Sequence, residues 1–204
     1  MSYFVTFEAA RVLVVDDDPI LREFALTHLA TPEVSVEVAE DGAEAWTRMG
    51  RSTYDIVLLD LDMPRMDGFE LLGLMRADPV HRHVPVVVAT GHEDMVAVDK
   101  AFANGATSFV IKPLNWRLVS HQLSYVLKSA REEAAVRQTL RTLQDHNRLR
   151  DEAVTLALAN LEQSGQALKA MLARPEEVEL TEAQTEAERI VRLCEALTQA
   201  ARLP

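Results

Sequence analysis

The sequence predicts an α/β fold, a doubly wound five-stranded parallel sheet of order 2-1-3-4-5, followed by an all-α helical hairpin. Two observations carry the first half. Short apolar runs alternate with stretches of helical period, and the turns between them are only a few residues long. One observation carries the second half: from about residue 116 the strand-like runs cease, and a long charged helical pattern replaces them.

The elements follow in order. Residues 11–15, all apolar after Arg11, read as a strand that ends at Asp16-Asp17-Asp18-Pro19. Asp18 as N-cap and Pro19 at the first helical position start a helix whose apolar face includes Ile20, Phe24 and Leu29. Val34, Val36 and Val38 alternate with Ser35 and Glu37, as expected of an edge strand. Asp41-Gly42 opens a helix carrying Ala45, Trp46 and Met49. Residues 56–59 are an apolar run too short for a buried helix, so they form a strand covered on both faces and closed by Asp60. Pro64 stops the extended chain, and Asp67 caps a helix over residues 68–77. Residues 84–89 form the fourth strand, and residues 93–104 a helix closed by Gly105. Residues 107–111 are the last strand, with a helix from Leu114 after Pro113.

Right-handed crossovers with this strand order bring together the loops after strands one, three, four and five. Those loops carry Asp16 and Asp17, Asp60, Thr90 and Lys112. Converging carboxylates repel one another unless a cation neutralises them. A cluster of oxygen donors without His or Cys suits a hard divalent ion, Mg²⁺ above all. Such a site accepts a phosphoryl group and leaves one carboxylate as nucleophile. Lys112 supplies a compact positive charge for phosphoryl oxygens, and Thr90 a short hydroxyl.

Composition narrows the function. The formal charge of -11 argues against unassisted binding to nucleic acid or an anionic membrane. Cys194 is the single cysteine, which fits a reducing compartment. Residues 1–10 carry no signal-peptide pattern, and no apolar run approaches the ~20 residues of a membrane span. A soluble, cytoplasmic protein is expected.

The motifs Val14-Val15-Asp16-Asp17-Asp18-Pro19, Leu59-Asp60-Leu61-Asp62-Met63-Pro64-Arg65-Met66-Asp67-Gly68, Ala89-Thr90-Gly91 and Ile111-Lys112-Pro113 give residues 11–128 a resemblance to the receiver domains of two-component response regulators. The resemblance implies a flavodoxin-like fold and a phosphoryl group accepted on Asp60 from a phosphohistidine on a partner histidine kinase or phosphotransfer protein. It assigns Asp17 and Asp60 to Mg²⁺ directly, Asp16 mainly through water, and the backbone carbonyl of Asp62 as a further ligand. Thr90 and Phe109 take the places of the family's switch pair. Beyond Mg²⁺-dependent self-phosphorylation and autodephosphorylation, no enzymatic activity is implied. Asp62 and His92 depart from the commonest pattern, and both flank the route by which water attacks an acyl phosphate, so they bear on the lifetime of the phosphorylated state.

The expected division is an N-terminal extension over 1–10, a receiver over 11–128 and a helical output module over 129–204. Residues 137–173 fit heptads, with Leu140, Asn147, Val154, Leu161 and Leu168 at one seam position and Leu143, Arg150, Ala157, Ser164 and Met171 at the other. Residues 174–177 break the helix, residues 180–184 read as a capping box, and a second amphipathic helix carries Ala183, Ala187, Ile190, Cys194, Leu197 and Ala201. A single hairpin has too little core to stand alone, so pairing of two hairpins in a homodimeric four-helix bundle is expected. The alternative is a hairpin folded back on its own receiver. The hairpin also resembles the dimerisation and histidine-phosphotransfer hairpin of sensor kinases, with Ala159 where the His would stand. Residues 115–121 are similar to the connectors of receivers that precede diguanylate cyclases, although the sequence carries no cyclase or kinase ATP-binding domain.

The leading expectation is a response regulator acting on a downstream protein target through this dimeric module. The alternatives are a phosphorelay intermediate using His146, and a DNA-binding regulator. Residues 125–204 have a net charge of -2 and the remainder -9, and neither half matches a phosphate backbone.

Overall fold

The computed structural model describes residues 9–91, 95–173 and 180–200. The chain divides into two compact units, Met1–Ala134 and Ala135–Pro204. In the first, β1 (Ala10–Val15), β2 (Val34–Ala39), β3 (Ile56–Asp60), β4 (Val86–Thr90) and β5 (Ser108–Ile111) form one sheet of order β2-β1-β3-β4-β5, parallel throughout. Helices α1 (Pro19–Leu29), α2 (Gly42–Met49), α3 (Gly68–Ala77) and α4 (Met95–Ala103) make the crossovers, and α5 spans Trp116–Leu172. The doubly wound parallel sheet and its order are as the sequence predicts.

Because strand side chains alternate, the central strands feed two cores. Leu13, Val15, Val57, Leu59, Val86 and Val88 pack on one face with Ala45, Met49, Leu71, Leu72, Met75 and Ala101 from α2, α3 and α4. Val12, Val14, Ile56, Leu58, Val87 and Ala89 pack on the other with Ala25 and Leu29 of α1 and Val119, Leu123, Val126 and Leu127 of α5. Full burial on both faces explains why β3 reads as an unbroken apolar run.

The caps are where the sequence puts them. The Asp18 carboxylate accepts from the Ile20 N–H, Asp41 from Glu44, and Asp67 from Glu70 in a complete capping box. Gly105 closes the turn after α4 with φ 93°, a left-handed conformation that suits glycine.

Four expectations are corrected. Ile20 and Phe24 are 65% and 49% exposed, and α1 meets the core through Leu29, as expected, together with Ala25. The two outward residues line a cleft of about 360 Å³ with Leu21, Lys112, Leu114 and Trp116. β4 starts two residues later than expected, since Val84 N–H turns back to the His81 carbonyl, and it extends through Thr90. β5 starts one residue late because the Thr107 hydroxyl accepts from the Val86 N–H beside the strand. α5 begins at Trp116 rather than Leu114, with Asn115 accepting the Leu118 N–H.

The second unit consists of the remainder of α5 and α6 (Leu180–Ala200). Val154, Ala157, Leu161, Leu168 and Met171 on α5 are half-buried and Ser164 is buried, matched on α6 by half-buried Glu186, Ile190, Leu193 and Leu197. Both sets recur at three- and four-residue spacing, so each helix turns one stripe inward. The expected break at residues 174–177 and residues 1–8 of the expected N-terminal extension lie outside the described residues, as do the side chains of Thr181, Glu182 and Ala183 in the expected capping box, whereas Ala10 of that extension already belongs to β1. Among the described residues no helix is long and apolar enough to cross a membrane.

Candidate functional site

The site forms where four parallel strands end. β3 lies between β1 and β4, with Val15 beside Leu59, Asp60 beside Ala89 and Thr90 beside Ile111. At these pairs or one residue past them, the chain delivers Asp16, Asp60, Thr90 and Lys112 to a single edge. Carboxylate oxygens of Asp16, Asp17 and Asp60 all lie within 4.8 Å of one another. Asp16 and Asp60 are buried, whereas Asp17 is exposed. The Lys112 ammonium sits 2.8 Å from Asp16 Oδ2 and 2.7 Å from Asp60 Oδ2. Its backbone N–H donates to the Thr90 carbonyl at 2.8 Å, which fixes the lysine against β4. Thr90 is buried and Phe109 half-buried, with the Phe109 ring edge-on to Phe102 at 6.0 Å.

Electrostatics follow from this packing. Burial pushes the Asp60 carboxyl above the usual carboxylate range, and Asp16 adds to the rise against the opposing pull of Lys112. Burial depresses the Lys112 ammonium, but its bonds to Asp16 and Asp60 outweigh that and hold it above the ordinary lysine value. Three carboxylates against one ammonium leave an excess of two negative charges. The donor set is all oxygen, grouped tightly and under-neutralised, so it fits a small hard divalent cation such as Mg²⁺.

The loop from β3 to α3 approaches closely from one side. A Cβ on Gly68 would stand 2.2 Å from the Asp60 carbonyl oxygen, so only glycine lets α3 start against the acceptor strand. Asp62 is exposed, and its backbone N–H bonds the Asp60 carboxylate. Its side chain does not join the Asp16, Asp17 and Asp60 group. His92 lies outside the described residues.

Two supports were not foreseen from sequence. Arg22 Nη1 donates to the Asp16 carbonyl at 2.6 Å, tying α1 to the acidic loop. Arg65, with φ 68°, pairs with Glu40 and with buried Asp41, linking the β3–α3 loop to the start of α2. The Gly42 N–H donates to the Met66 carbonyl at 3.1 Å in the same junction. These partners lie 25 and 24 positions apart in the chain, beyond the reach of local patterning.

Among curated proteins, the chain is 35% identical over 140 residues to "3',5'-cyclic-nucleotide phosphodiesterase regA" of Dictyostelium discoideum, covering 64% of this chain and 17% of that one. It is 39% identical over 103 residues to "DNA-binding response regulator MtrA" of Mycolicibacterium smegmatis, covering 50% and 44%. It is 36% identical over 107 residues to "Response regulator PleD" of Caulobacter vibrioides, covering 52% and 24%. The chain thus spans less than half the length of these relatives. Among solved structures, chemotaxis response regulator CheY4 of Vibrio cholerae aligns with a TM-score of 0.55 at 30% identity, covering 59% of this chain and 99% of that one. A family model described as "Response regulator receiver domain" matches residues 12–124. With that match over more than half its length, and with the acidic edge and Lys112 assembled at the ends of β1, β3 and β5, the chain belongs to the response regulator receiver domain family.

Proposed function

We propose that this protein is a two-component response regulator that is phosphorylated on Asp60 and acts on a downstream protein through a dimeric C-terminal helical module. The observation that carries the first part is the placing of Asp60: buried at the end of the central strand, 2.7 Å from Lys112 and grouped with Asp16 and Asp17. Asp60 Oδ attacks the phosphorus of a phosphohistidine on the partner kinase or phosphotransfer protein. The P–N bond breaks, and the imidazole nitrogen departs with the electron pair. Asp17 and Asp60 would hold Mg²⁺ directly, with Asp16 mainly through water and the Asp62 carbonyl as a further ligand. When bound, the ion neutralises the charge that gathers on the phosphoryl oxygens. Lys112 shifts from its carboxylate partners to a phosphoryl oxygen, and the Thr90 hydroxyl bonds another. That movement frees space for Phe109 to turn inward, changing the surface of α4, β5 and α5. Asp62, exposed two residues beyond the acceptor, bears on the attack of water and so on the lifetime of the acyl phosphate, and the same role for His92 rests on its place in the sequence, two residues beyond Thr90.

Incubation with a small phosphodonor and Mg²⁺ is expected to label the wild-type chain and leave Asp60→Asn unlabelled. Full labelling of Asp60→Asn would reject the assignment.

A relay reading is supported by one observation: His146 is exposed on α5, whereas Ala159 at the aligned position cannot carry phosphate. Phosphate chased from Asp60 is expected to produce no acid-labile, base-stable label. Such a label, lost in His146→Ala, would establish the relay. The net charge of -2 over residues 125–204 speaks against DNA as the output.

A further inference from the structure

α5 is exposed at every position over residues 138–153. The half-buried stripe of α5 in the second unit begins only at Val154. An uncovered helix of this length is marginal in water, because most helical stability comes from packing an apolar face. The apolar face exists: Val136, Leu140, Leu143 and Leu158 are 60%, 54%, 54% and 52% exposed and lie on one side of the helix with Asn147.

Resting on the reading of a dimeric module, we infer that this stripe pairs with the same stripe of a second copy, parallel and in register, as a two-stranded coiled coil with Asn147 facing Asn147. Two features of the helix select that arrangement. With Leu140, Asn147 and Val154 at one seam position and Val136, Leu143 and Arg150 at the other, a parallel in-register pair sets Asn147 against its own counterpart, where the two amides satisfy each other. An antiparallel pair sets it against Leu143 or Arg150 and leaves the amide without that partner. The flanking charges agree. In the parallel pair His146 falls beside Asp151 of the second copy, since the residue before one seam position meets the residue after the next. An antiparallel pair breaks that His146–Asp151 pairing. Arg150, the one charge in the seam, lies 3.6 Å from Asp151 of its own helix.

The test uses the full chain carrying Cys194→Ser, with one further substitution at a time: Leu140→Cys, Leu143→Cys or Arg148→Cys. In a parallel in-register pair the two seam positions face their own counterparts at disulfide distance, and Arg148 lies on the outside. Mild oxidation is expected to convert most of the Leu140→Cys and Leu143→Cys chains to covalent dimers and to leave Arg148→Cys uncrosslinked. These positions are solvent-exposed in the single chain, and Asp60 labelling verifies that the receiver remains folded. A dimeric mass by light scattering without seam crosslinks overturns the parallel register while leaving the dimeric module standing. A trimeric or tetrameric mass overturns the two-stranded pairing, and a monomeric mass overturns both readings.

Discussion

Arg65 holds a left-handed backbone, φ 68°, inside the loop that follows the acceptor strand. Such a conformation costs a residue with a Cβ roughly 1 to 3 kcal/mol, and here the side chain pairs with Glu40 and Asp41 across the loop. Arg65→Ala removes the pairs and keeps the backbone cost; Arg65→Gly removes both. Chemical denaturation is therefore expected to rank the glycine variant about 1 kcal/mol more stable than the alanine variant, with wild type at least as stable as either. An alanine variant as stable as the glycine variant would show that the loop relaxes without the arginine. Asp16, Asp17, Asp60, Thr90 and Lys112 were legible because each ends a strand or follows its end within two residues, a feature of local pattern. Arg65 was not, because nothing near it in sequence reveals Glu40 or Asp41.

At the scale of elements, strands were easier to read than the outward face of a helix. The double burial of β3 leaves an unmistakable apolar run, whereas Ile20 and Phe24 lie across the helix from Leu29 and border an open cleft. Phe24 stacks on His28, and His28 on Trp116 of α5, at 5.9 and 6.0 Å. Periodicity reports that a side chain is apolar, not which neighbour will cover it. The edge strand β2 shows the opposite: its polar residue is the anchor. Glu37 accepts from the Tyr54 hydroxyl and from Arg11, both at 2.8 Å, joining β2 to β1 and to the approach to β3. Burial first, and then the bond to Glu37, push the Tyr54 hydroxyl up to about 12 from an ordinary 10.0. A raised folded-state value favours the protonated form, so this contribution is fully present below pH 10 and is lost between about 10 and about 12. The stability advantage of wild type over Tyr54→Phe is expected to shrink by up to roughly 2 kcal/mol across that window. A gap that stays constant with pH would place the Tyr54 hydroxyl outside the linkage.

For the whole molecule, the question is where the receiver ends along the 57 residues of α5. Sequence pattern sets an end near Lys128, since Val119, Leu123, Val126 and Leu127 complete the apolar face. The first compact unit continues to Ala134, and a contact within that unit gives the reason. Arg131 donates to the Ala9 carbonyl at 2.7 Å and lies 3.7 Å from Asp55, whose other carboxylate oxygen accepts the Arg11 N–H. The guanidinium thus ties α5 to both sides of the start of β1, a long-range link with no local signature. A chain cut after Ala134 keeps this tie, and one cut after Lys128 loses it together with a further turn of helix. Both are expected to fold, to label at Asp60 and to run as monomers without phosphorylation, because the stripe from Val136 to Leu158 is gone. The longer one is expected to melt several degrees higher, as a difference of about 1 kcal/mol implies for a domain of this size. Equal melting temperatures would assign Arg131 no part in receiver stability. A dimeric 1–134 fragment would move the pairing surface off the helical module and onto the receiver itself.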